Sequence, residues 1–392
     1  MVKALNNNVT KNLQRTGIRR FNELVAKVPG AIKLTVGEID LPTPANTKLR
    51  GINAITENVT KYTPNAGDLE LRTTISEYLA AHYHLNYSAK DEIIVTVGGS
   101  EAIDTSFRTI LEPEDEIIIP APCFPGYLGS GILSQSKIVL VDTSSSGFKL
   151  TPEQLENSIT DATKLVVLNY PNNPTGSILT TEELEALAKI IIKHDLYVLT
   201  DEMYATLVYD GIDIAPSIAA IDGMKERTII VNGVSKSSSM TGWRVGYIAT
   251  SAAIVEQALK VHQYAVASPA SMAQKAAITA LTTDFPETQK MSALFEHRRD
   301  VLVSYLSKLD LKFNRPVGAF YCFLDISEFG MDSWSFAEKM LYDYKLAVVP
   351  GNSFSEYGDN YVRLSFAVDE KIIVEAMKRL TAGVTELRKR NV

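Results

Sequence analysis

Residues 164–202 read KLVVLNYPNNPTGSILTTEELEALAKIIIKHDLYVLTDE, and this stretch decides the fold class. Its two ends, KLVVLNY (164–170) and LYVLTDE (196–202), are apolar runs without polar alternation, as in strands that are buried on both faces of a parallel sheet. Between them, TTEELEALAKIIIKHD (180–195) is amphipathic and opens with a threonine cap and a glutamate close behind it. The order strand, helix, strand predicts an α/β architecture.

The same alternation extends over much of the chain. Together with the two runs above, five more β-branched apolar runs predict one wide, mainly parallel sheet of seven strands flanked by helices. These five runs are EIIVTV (92–97), DEIIIPA (115–121), KIVLVD (137–142), RTIIVNG (227–233) and VGYIAT (245–250).

A second, smaller unit follows the sheet. After about residue 285 a long charged helix pattern leads into GAFYCFLDI, LAVVPG and YVRLSFA, with a helix near 333–343 and another at the end. The first 45 residues contain a predicted helix (11–28) and a turn-rich segment. We therefore predict a large domain over residues 46–284, and a small α+β domain made of residues 1–45 and 285–392.

The composition excludes several classes of protein. The 392 residues include 39 basic and 46 acidic side chains, a net charge of −7 that argues against a nucleic-acid surface. The two cysteines are far apart and lack metal-ligand spacing, so neither a metal site nor a disulfide framework is expected. No apolar run approaches the roughly 20 residues of a membrane helix. These features predict a soluble, cytoplasmic protein without nucleic-acid or membrane partners.

Two segments at strand ends could bind a ligand. VTVGGSEAID (95–104) ends a strand in Gly98-Gly99, and glycines before a helix N-terminus let backbone amides approach an anion such as phosphate. A plain turn capped by serine is the alternative. NYPNNPTG (169–176) is a turn by composition, although an asparagine fixed by the following proline would also be a rigid hydrogen-bond donor.

Two further segments carry charged groups. VLTDEMY (198–204) puts Asp201 at the end of an apolar strand, where its carboxylate is expected to be half buried. A buried carboxylate is costly unless it is paired, so we expect a cationic ligand, a structural ion pair or a helix-capping role. VSKSSSMTGWRVGY (234–247) places Lys236 after a buried strand, where partial desolvation would make its amine an imine-forming nucleophile rather than a solvated lysine. Arg244 and the hydroxyls near Lys236 suit an oxyanion.

These four segments all fall at strand ends on one predicted edge of the sheet. Together they offer a phosphate cradle, a phenol, a carboxylate and an amine, which is the set of groups that pyridoxal phosphate requires. No glycine fingerprint follows an early strand, so a dinucleotide oxidoreductase is poorly supported.

The motifs NNPTG, TDEMY, VSKSSSMTGWRVGY and YVRLSFA, in this order and over nearly the whole chain, resemble the fold type I pyridoxal-phosphate aminotransferases of class I/II. The likeness is greatest to the bacterial subgroup of aspartate, aromatic and N-acetyl-diaminopimelate aminotransferases. It implies an aspartate aminotransferase-like fold, pyridoxal 5'-phosphate as cofactor, amino acid and 2-oxo acid substrates, and a homodimer with shared active sites.

The resemblance also implies a role for each matching residue. Lys236 should bind the cofactor covalently and carry the proton at the substrate Cα, and Asp201 should pair with the pyridine nitrogen. Asn173 and Tyr204 should hydrogen-bond the cofactor 3′-oxygen, and Phe124 should stack on its ring. Arg363, helped by the backbone of Gly37, should bind the substrate α-carboxylate. The cofactor phosphate should contact the amides of Gly99, Ser100 and Glu101, the side chains of Ser235 and Arg244, and Tyr62 of a partner subunit.

One position departs from the family pattern. Relatives often carry a phosphate-binding serine three residues before the lysine, where this chain has Gly233.

The function expected is amino-group transfer between an L-amino acid and a 2-oxo acid by a ping-pong mechanism. A carbon–sulfur β-lyase on the same framework is the alternative, and a non-catalytic ligand-sensing domain is less well supported. The substrate side chain is not readable, although Phe124, Tyr127, Tyr264 and Tyr321 suggest aromatic donors, and Arg19, Arg20 and Lys61 are candidate partners for an acidic one.

Overall fold

A computed structural model describes residues 8–390 of the chain. Its strands are β1 (Ile32–Lys33), β2 (Ile93–Thr96), β3 (Glu116–Ala121), β4 (Lys137–Asp142), β5 (Thr163–Asn169), β6 (Tyr197–Asp201), β7 (Thr228–Gly233), β8 (Gly246–Ala249), β9 (Phe313–Asn314), β10 (Tyr321–Asp325), β11 (Leu346–Ala347), β12 (Val349–Pro350) and β13 (Tyr361–Ser365). Its helices are α1 (Asn8–Lys11), α2 (Gly17–Val25), α3 (Ala45–Thr56), α4 (Leu69–Tyr83), α5 (Gly98–Ile110), α6 (Pro125–Leu133), α7 (Pro152–Ser158), α8 (Thr181–Lys193), α9 (Val234–Ser237), α10 (Ala252–Ala265), α11 (Ser271–Leu281), α12 (Phe285–Lys308), α13 (Ser333–Tyr344) and α14 (Glu370–Arg390).

The large sheet contains all seven predicted strands, in the order β2-β8-β7-β6-β5-β3-β4. In this sheet β8 runs antiparallel to both of its neighbours, and the other neighbouring pairs are parallel. Helices cover both faces, and alternate residues of one strand pack on opposite sides. In β7, Ile229 and Val231 belong to one apolar cluster and Ile230 to another. The prediction of a mainly parallel, doubly covered sheet is confirmed.

Local sequence explains how α8 begins. The Thr180 side chain accepts a hydrogen bond from the amide of Glu183, and the Glu183 side chain accepts one from the amide of Thr180. This capping box satisfies two amides that have no partner within the helix. The predicted threonine cap is therefore present.

The smaller unit is built on an antiparallel sheet in the order β12-β13-β10-β9, beside a two-stranded parallel pair of β1 and β11. Its apolar core joins α12, α13 and α14 with Phe21 and Val25 of α2. Residues near the N-terminus thus pack with the C-terminal part of the chain. The domain boundaries at residues 46 and 285 remain a prediction.

The N-terminal helix differs from the prediction. A single helix over residues 11–28 was expected, but α1 ends at Lys11 and α2 runs only from Gly17 to Val25. Gly17 lies against Ser353, where an added Cβ would be 2.4 Å from the serine hydroxyl oxygen. The first residue of α2 therefore packs too closely against Ser353 to carry a side chain. Within residues 8–390, no helix has the length and hydropathy required to cross a bilayer.

Candidate active site

A cavity of about 720 Å³ opens at the edge of the large sheet where β5, β6 and β7 end. Most of the predicted site residues line it. They are Gly37, Gly99, Ser100, Phe124, Asn173, Asp201, Tyr204, Ser235, Lys236, Arg244 and Arg363.

Strand register brings the central residues together. Asn169, the last residue of β5, lies opposite Asp201, the last residue of β6. Asp201 in turn lies opposite Val231 of β7, five residues before Lys236. Because parallel strands present their carboxyl ends at one edge of a sheet, groups that follow these strands meet in one place.

Asp201 lies at the floor of the cavity and is only 7% exposed. Its carboxylate accepts hydrogen bonds from the Tyr127 hydroxyl at 2.6 Å and from the Met203 amide at 3.1 Å. Burial raises its pKa, an effect that these hydrogen bonds and the charge of Lys236 oppose. No basic side chain of residues 8–390 forms an ion pair with it, so its carboxylate is suited to a cationic ligand.

Lys236 projects from α9, the short helix after β7. Its amine donates a hydrogen bond to the backbone carbonyl of Gly37 and lies 5.6 Å from the centre of the Phe320 ring. Burial lowers its pKa to about 8, and the positive charges of Arg363 and Arg244 act in the same direction. A substantial fraction of the amine is therefore neutral near physiological pH, as a nucleophile requires.

The N-terminus of α5 and Arg244 line one side of the cavity with groups that are suited to an anion. The Arg244 guanidinium donates to the carbonyl of Thr241 at 2.8 Å and lies so close to Gly98 that an added Cβ would be 2.5 Å from one of its nitrogens. Gly98 also has a φ of +74°, which disfavours other residues. Free amides, a helix dipole and a guanidinium thus face one space, and Ser100 and Ser235 add hydroxyls to its lining.

The structure explains the glycine at position 233. A Cβ at this position would lie 2.7 Å from both the Cα of Gly246 and the carbonyl oxygen of Val245. Both contacts are with backbone, which cannot move aside like a flexible side chain. The close approach of β7 and β8 thus leaves no room for a serine here.

Arg363 is the second buried cation of the site, and it is 2% exposed. It comes from β13, and it donates to the side-chain oxygen of Asn173 at 2.9 Å and to the carbonyl of Thr35 at 3.1 Å. Its guanidinium carbon lies 4.2 Å from the centre of the Tyr321 ring, and its Nε has no hydrogen-bond partner. No carboxylate of residues 8–390 pairs with it, so a carboxylate on the substrate would satisfy it.

Three cavity residues were missed or not given these roles by sequence reasoning. Tyr127 donates to Asp201, and the Tyr321 hydroxyl lies 3.0 Å from that of Tyr204. The side chain of Asn169 donates to the Asp201 carbonyl at 3.1 Å and accepts from the Asn173 amide at 3.2 Å. A strand-end position was the only signal for Asn169, and neither tyrosine carries a local signal that separates it from core packing.

Two predicted site residues do not line this cavity, although the roles predicted for them belong to the backbone amide of Glu101 and to Tyr62 of a partner subunit and stay predictions. The Glu101 carboxylate turns back to the Val97 amide at 3.0 Å and to the Thr105 hydroxyl at 2.6 Å, and this residue is not among those that line the cavity. Tyr62 is 90% exposed and does not line the cavity of its own chain. Tyr264 is 88% exposed, which does not support its place in an aromatic side-chain pocket.

Comparisons with known proteins agree with this geometry. The profile of a family described as aminotransferase class I and II matches residues 29–380. The chain is 44% identical over 387 residues to the probable N-acetyl-LL-diaminopimelate aminotransferase of Bacillus subtilis (strain 168), covering 99% of this chain and 98% of the relative.

Solved structures show the same fold. The aromatic aminotransferase from Pyrococcus horikoshii OT3 superposes with a TM-score of 0.89 at 37% identity, covering 95% of this chain and 99% of that one. The aspartate aminotransferase from Thermus thermophilus with maleate gives 0.92 at 34% identity, covering 97% and 100%.

These relatives favour amino-group transfer between an L-amino acid and a 2-oxo acid by a ping-pong mechanism over the carbon–sulfur β-lyase alternative. The chain therefore belongs to the class I and II aminotransferases and is a transferase enzyme.

Proposed function

We propose that the cavity binds pyridoxal 5'-phosphate, with Lys236 as its covalent attachment point. The observation that carries this proposal is the convergence of three groups: the buried carboxylate of Asp201, which forms no ion pair within residues 8–390, the partly neutral amine of Lys236, and the helix N-terminus beside Arg244. Their chemistry matches a cationic ring nitrogen, an aldehyde and a phosphate. When bound, this cofactor supplies an electron sink for the bond that breaks at the substrate Cα.

Asp201 would accept a hydrogen bond from the ring nitrogen and stabilise its positive charge. The Tyr127 hydroxyl donates to one oxygen of this carboxylate and the Met203 amide to the other, so the carboxylate is held in a defined orientation. Phe124, whose ring lies 5.6 Å from that of Tyr127 and perpendicular to it, would pack on the ring face. Tyr204 and Asn173 would hydrogen-bond the 3′-oxygen.

Arg363 would bind the α-carboxylate of the amino acid through two parallel N–H donors. Its contacts with Asn173 and Thr35 hold the guanidinium plane before substrate arrives. The backbone of Gly37 would complete this position. Lys236, beside it, would take the proton from the substrate Cα and return it during the transfer, a role for which a pKa of about 8 is well placed.

For the phosphate, we propose that the amides of Gly99, Ser100 and Glu101, the side chains of Ser235 and Arg244, and Tyr62 of a second subunit act as ligands. A homodimer supplies that second subunit. Support comes from exposed apolar residues on and near α3, where Leu49, Ile52 and Ile55 are each more than half exposed and Tyr62 is 90% exposed. Such a cluster is unusual on a free surface.

Subunit mixing tests the shared site. Lys236→Ala subunits lack the attachment lysine, and Tyr62→Ala subunits bind phosphate poorly in the homodimer. In a hybrid of the two, one site combines Lys236 with the partner's intact tyrosine. We expect that site to regain the cofactor affinity of the unmodified enzyme, and absence of recovery would contradict sharing.

We also propose that residues 46–284 form the cofactor-binding domain and that residues 1–45 and 285–392 form the small one. The large sheet spans residues 93–249, and the smaller sheets use residues 32–33 and 313–365. The cytoplasm is the proposed location, supported by two buried, unpaired cysteines.

The decisive experiment follows each half-reaction separately. Enzyme loaded with cofactor should convert one equivalent of amino acid per site to its 2-oxo acid with no acceptor present, with a change in the cofactor absorbance band. A 2-oxo acid should then restore the band. Continuous release of ammonia and pyruvate from a cysteine conjugate without an acceptor would instead indicate a lyase.

A further inference from the structure

Glu101 places a negative charge at the helix N-terminus that is proposed to bind the cofactor phosphate. The proposed chemistry uses only its backbone amide, yet its side chain is an acidic group in the first turn of α5 and is only 11% exposed. Free amides and the positive end of a helix dipole stabilise whichever anion lies beside them. A carboxylate that is fixed in this turn therefore competes with an incoming phosphate.

Three groups hold the Glu101 carboxylate against α5. One oxygen accepts a hydrogen bond from the Val97 amide at 3.0 Å, and the other accepts one from the Thr105 hydroxyl at 2.6 Å. That second oxygen also lies 3.0 Å from Nδ1 of His262. Val97 and Thr105 belong to the start and the body of α5, whereas His262 comes from α10, 161 positions away.

His262 is fully buried, and within residues 8–390 the Glu101 carboxylate is the only hydrogen-bond partner of its ring. An ionised carboxylate can only accept, so Nδ1 carries the hydrogen of this contact. The other ring nitrogen, Nε2, has no partner among these residues. Burial of a half-satisfied imidazole lowers stability, and an apolar side chain would avoid that loss. The contribution of His262 is therefore its contact with Glu101 rather than packing.

The packing of α10 on α5 fixes the position of the imidazole. Ile103 and Phe107 of α5 share one apolar cluster with Val255 and Ala258 of α10. Ala258 is one helical turn before His262, so the two side chains lie on the same face of α10. A rigid helix pair thus holds the ring beside the first turn of α5.

We propose that His262 is a positioning residue for the cofactor phosphate. Its hydrogen bond holds the Glu101 carboxylate against α5 and disperses the negative charge, so that the amides at the helix N-terminus stay available to the phosphate. The inference rests on the proposed binding of the phosphate at this helix. His262 does not line the cavity and acts only through Glu101. Without this donor, the carboxylate would oppose a dianion in a partly buried region, where water screens charges weakly.

The test isolates the phosphate by comparing pyridoxal 5'-phosphate with pyridoxal, which lacks it. Both dissociation constants are measured by equilibrium dialysis on the full-length enzyme after removal of bound cofactor, and their ratio gives the advantage that the phosphate confers. In His262→Leu this advantage should fall about 10-fold. In His262→Leu/Glu101→Gln it should return to within about threefold of the unmodified value, because no charge remains to oppose the phosphate.

Two further variants serve as controls. His262→Asn keeps an N–H donor at the place of Nδ1, so it should retain the phosphate advantage to within about threefold, and it tests the same hydrogen bond should leucine prevent folding. His194 forms a matched pair elsewhere, with its Nε2 2.9 Å from the Glu156 carboxylate, and it does not line the cavity. His194→Leu should leave the phosphate advantage unchanged.

An unchanged phosphate advantage in His262→Leu would overturn the inference, as would a loss of equal size in His194→Leu. A double variant as weak as His262→Leu would overturn it too, because the loss would then come from packing rather than from charge. A loss of about 10-fold in His262→Asn would show that the hydrogen bond is not the cause. If the unmodified enzyme bound pyridoxal as tightly as pyridoxal 5'-phosphate, the proposed phosphate site itself would fail, which separates the two conclusions.

Discussion

Replacing Glu202 by glutamine should change how the stability of this enzyme depends on pH. Glu202 follows Asp201 directly but points into the protein, where it is 2% exposed. Thr200 and Ser217 donate hydrogen bonds to one carboxylate oxygen at 3.1 and 2.5 Å, and the other oxygen has no partner. Burial raises the pKa of this carboxyl from 4.5 to about 7, and the negative charge of Asp201 adds to the effect.

The size of the effect follows from this difference in pKa. The folded protein holds the proton more tightly than the unfolded chain does, so this carboxyl stabilises the fold fully below pH 4.5. That stabilisation is lost as the pH rises through about 7. About 2.5 pH units at about 1.36 kcal/mol each correspond to roughly 3 kcal/mol. Glutamine does not titrate, so the free energy of unfolding of Glu202→Gln should lack this component.

Urea unfolding of the cofactor-loaded enzyme, followed by fluorescence at one fixed protein concentration, measures the effect. Between about pH 5 and about pH 8.5, Glu202→Gln should gain roughly 2.5 kcal/mol relative to the unmodified enzyme. Glu77→Gln, an exposed position on α4, is the matched control and should run parallel to the unmodified enzyme. A difference between Glu202→Gln and the unmodified enzyme that stays constant over this range would refute the reasoning.

Three further changes test the cavity. Arg363→Lys replaces a guanidinium fork by one ammonium group, so kcat/KM for the amino acid should fall about 100-fold in steady-state assays. Gly98→Ala puts a Cβ 2.5 Å from a guanidinium nitrogen of Arg244 and should weaken cofactor binding about 10-fold in equilibrium dialysis, whereas Gly129→Ala meets no atom within 4 Å and should not. Arg298→Met removes a bidentate ion pair to Asp40, close in sequence to the cavity residues Gly37 and Glu38, and should raise KM about 5-fold, with a smaller change in kcat.

A different result would contradict each of these three predictions. Retention of full kcat/KM in Arg363→Lys would show that a single ammonium binds the substrate equally well. Equal cofactor affinities in the two glycine variants would mean that the cradle tolerates a Cβ. A loss of kcat without a rise in KM in Arg298→Met would show that this ion pair, which joins α12 to Asp40, does not position the substrate.

Much of the large sheet could be predicted because its strands carry their signal locally. KLVVLNY predicted a strand over residues 164–170, and β5 runs from Thr163 to Asn169. Runs of this kind are typical of strands that are buried on both faces, so their pattern depends little on distant partners, although the edge strand β4 is only partly buried. The helix predicted over residues 11–28 is interrupted: α1 ends at Lys11, and α2 begins at Gly17, which packs against Ser353, 336 positions away.

The sequence also determined which chemistry the site could contain, because Lys236 and Asp201 follow buried strands and parallel strands end at one edge. Only the tertiary structure decided how these groups are satisfied and which others join them. It paired Tyr127 with Asp201 and left no space for a side chain at Gly233. The physical reason is that hydrogen bonding, burial and steric fit are set by the approach of distant segments, which no local pattern records.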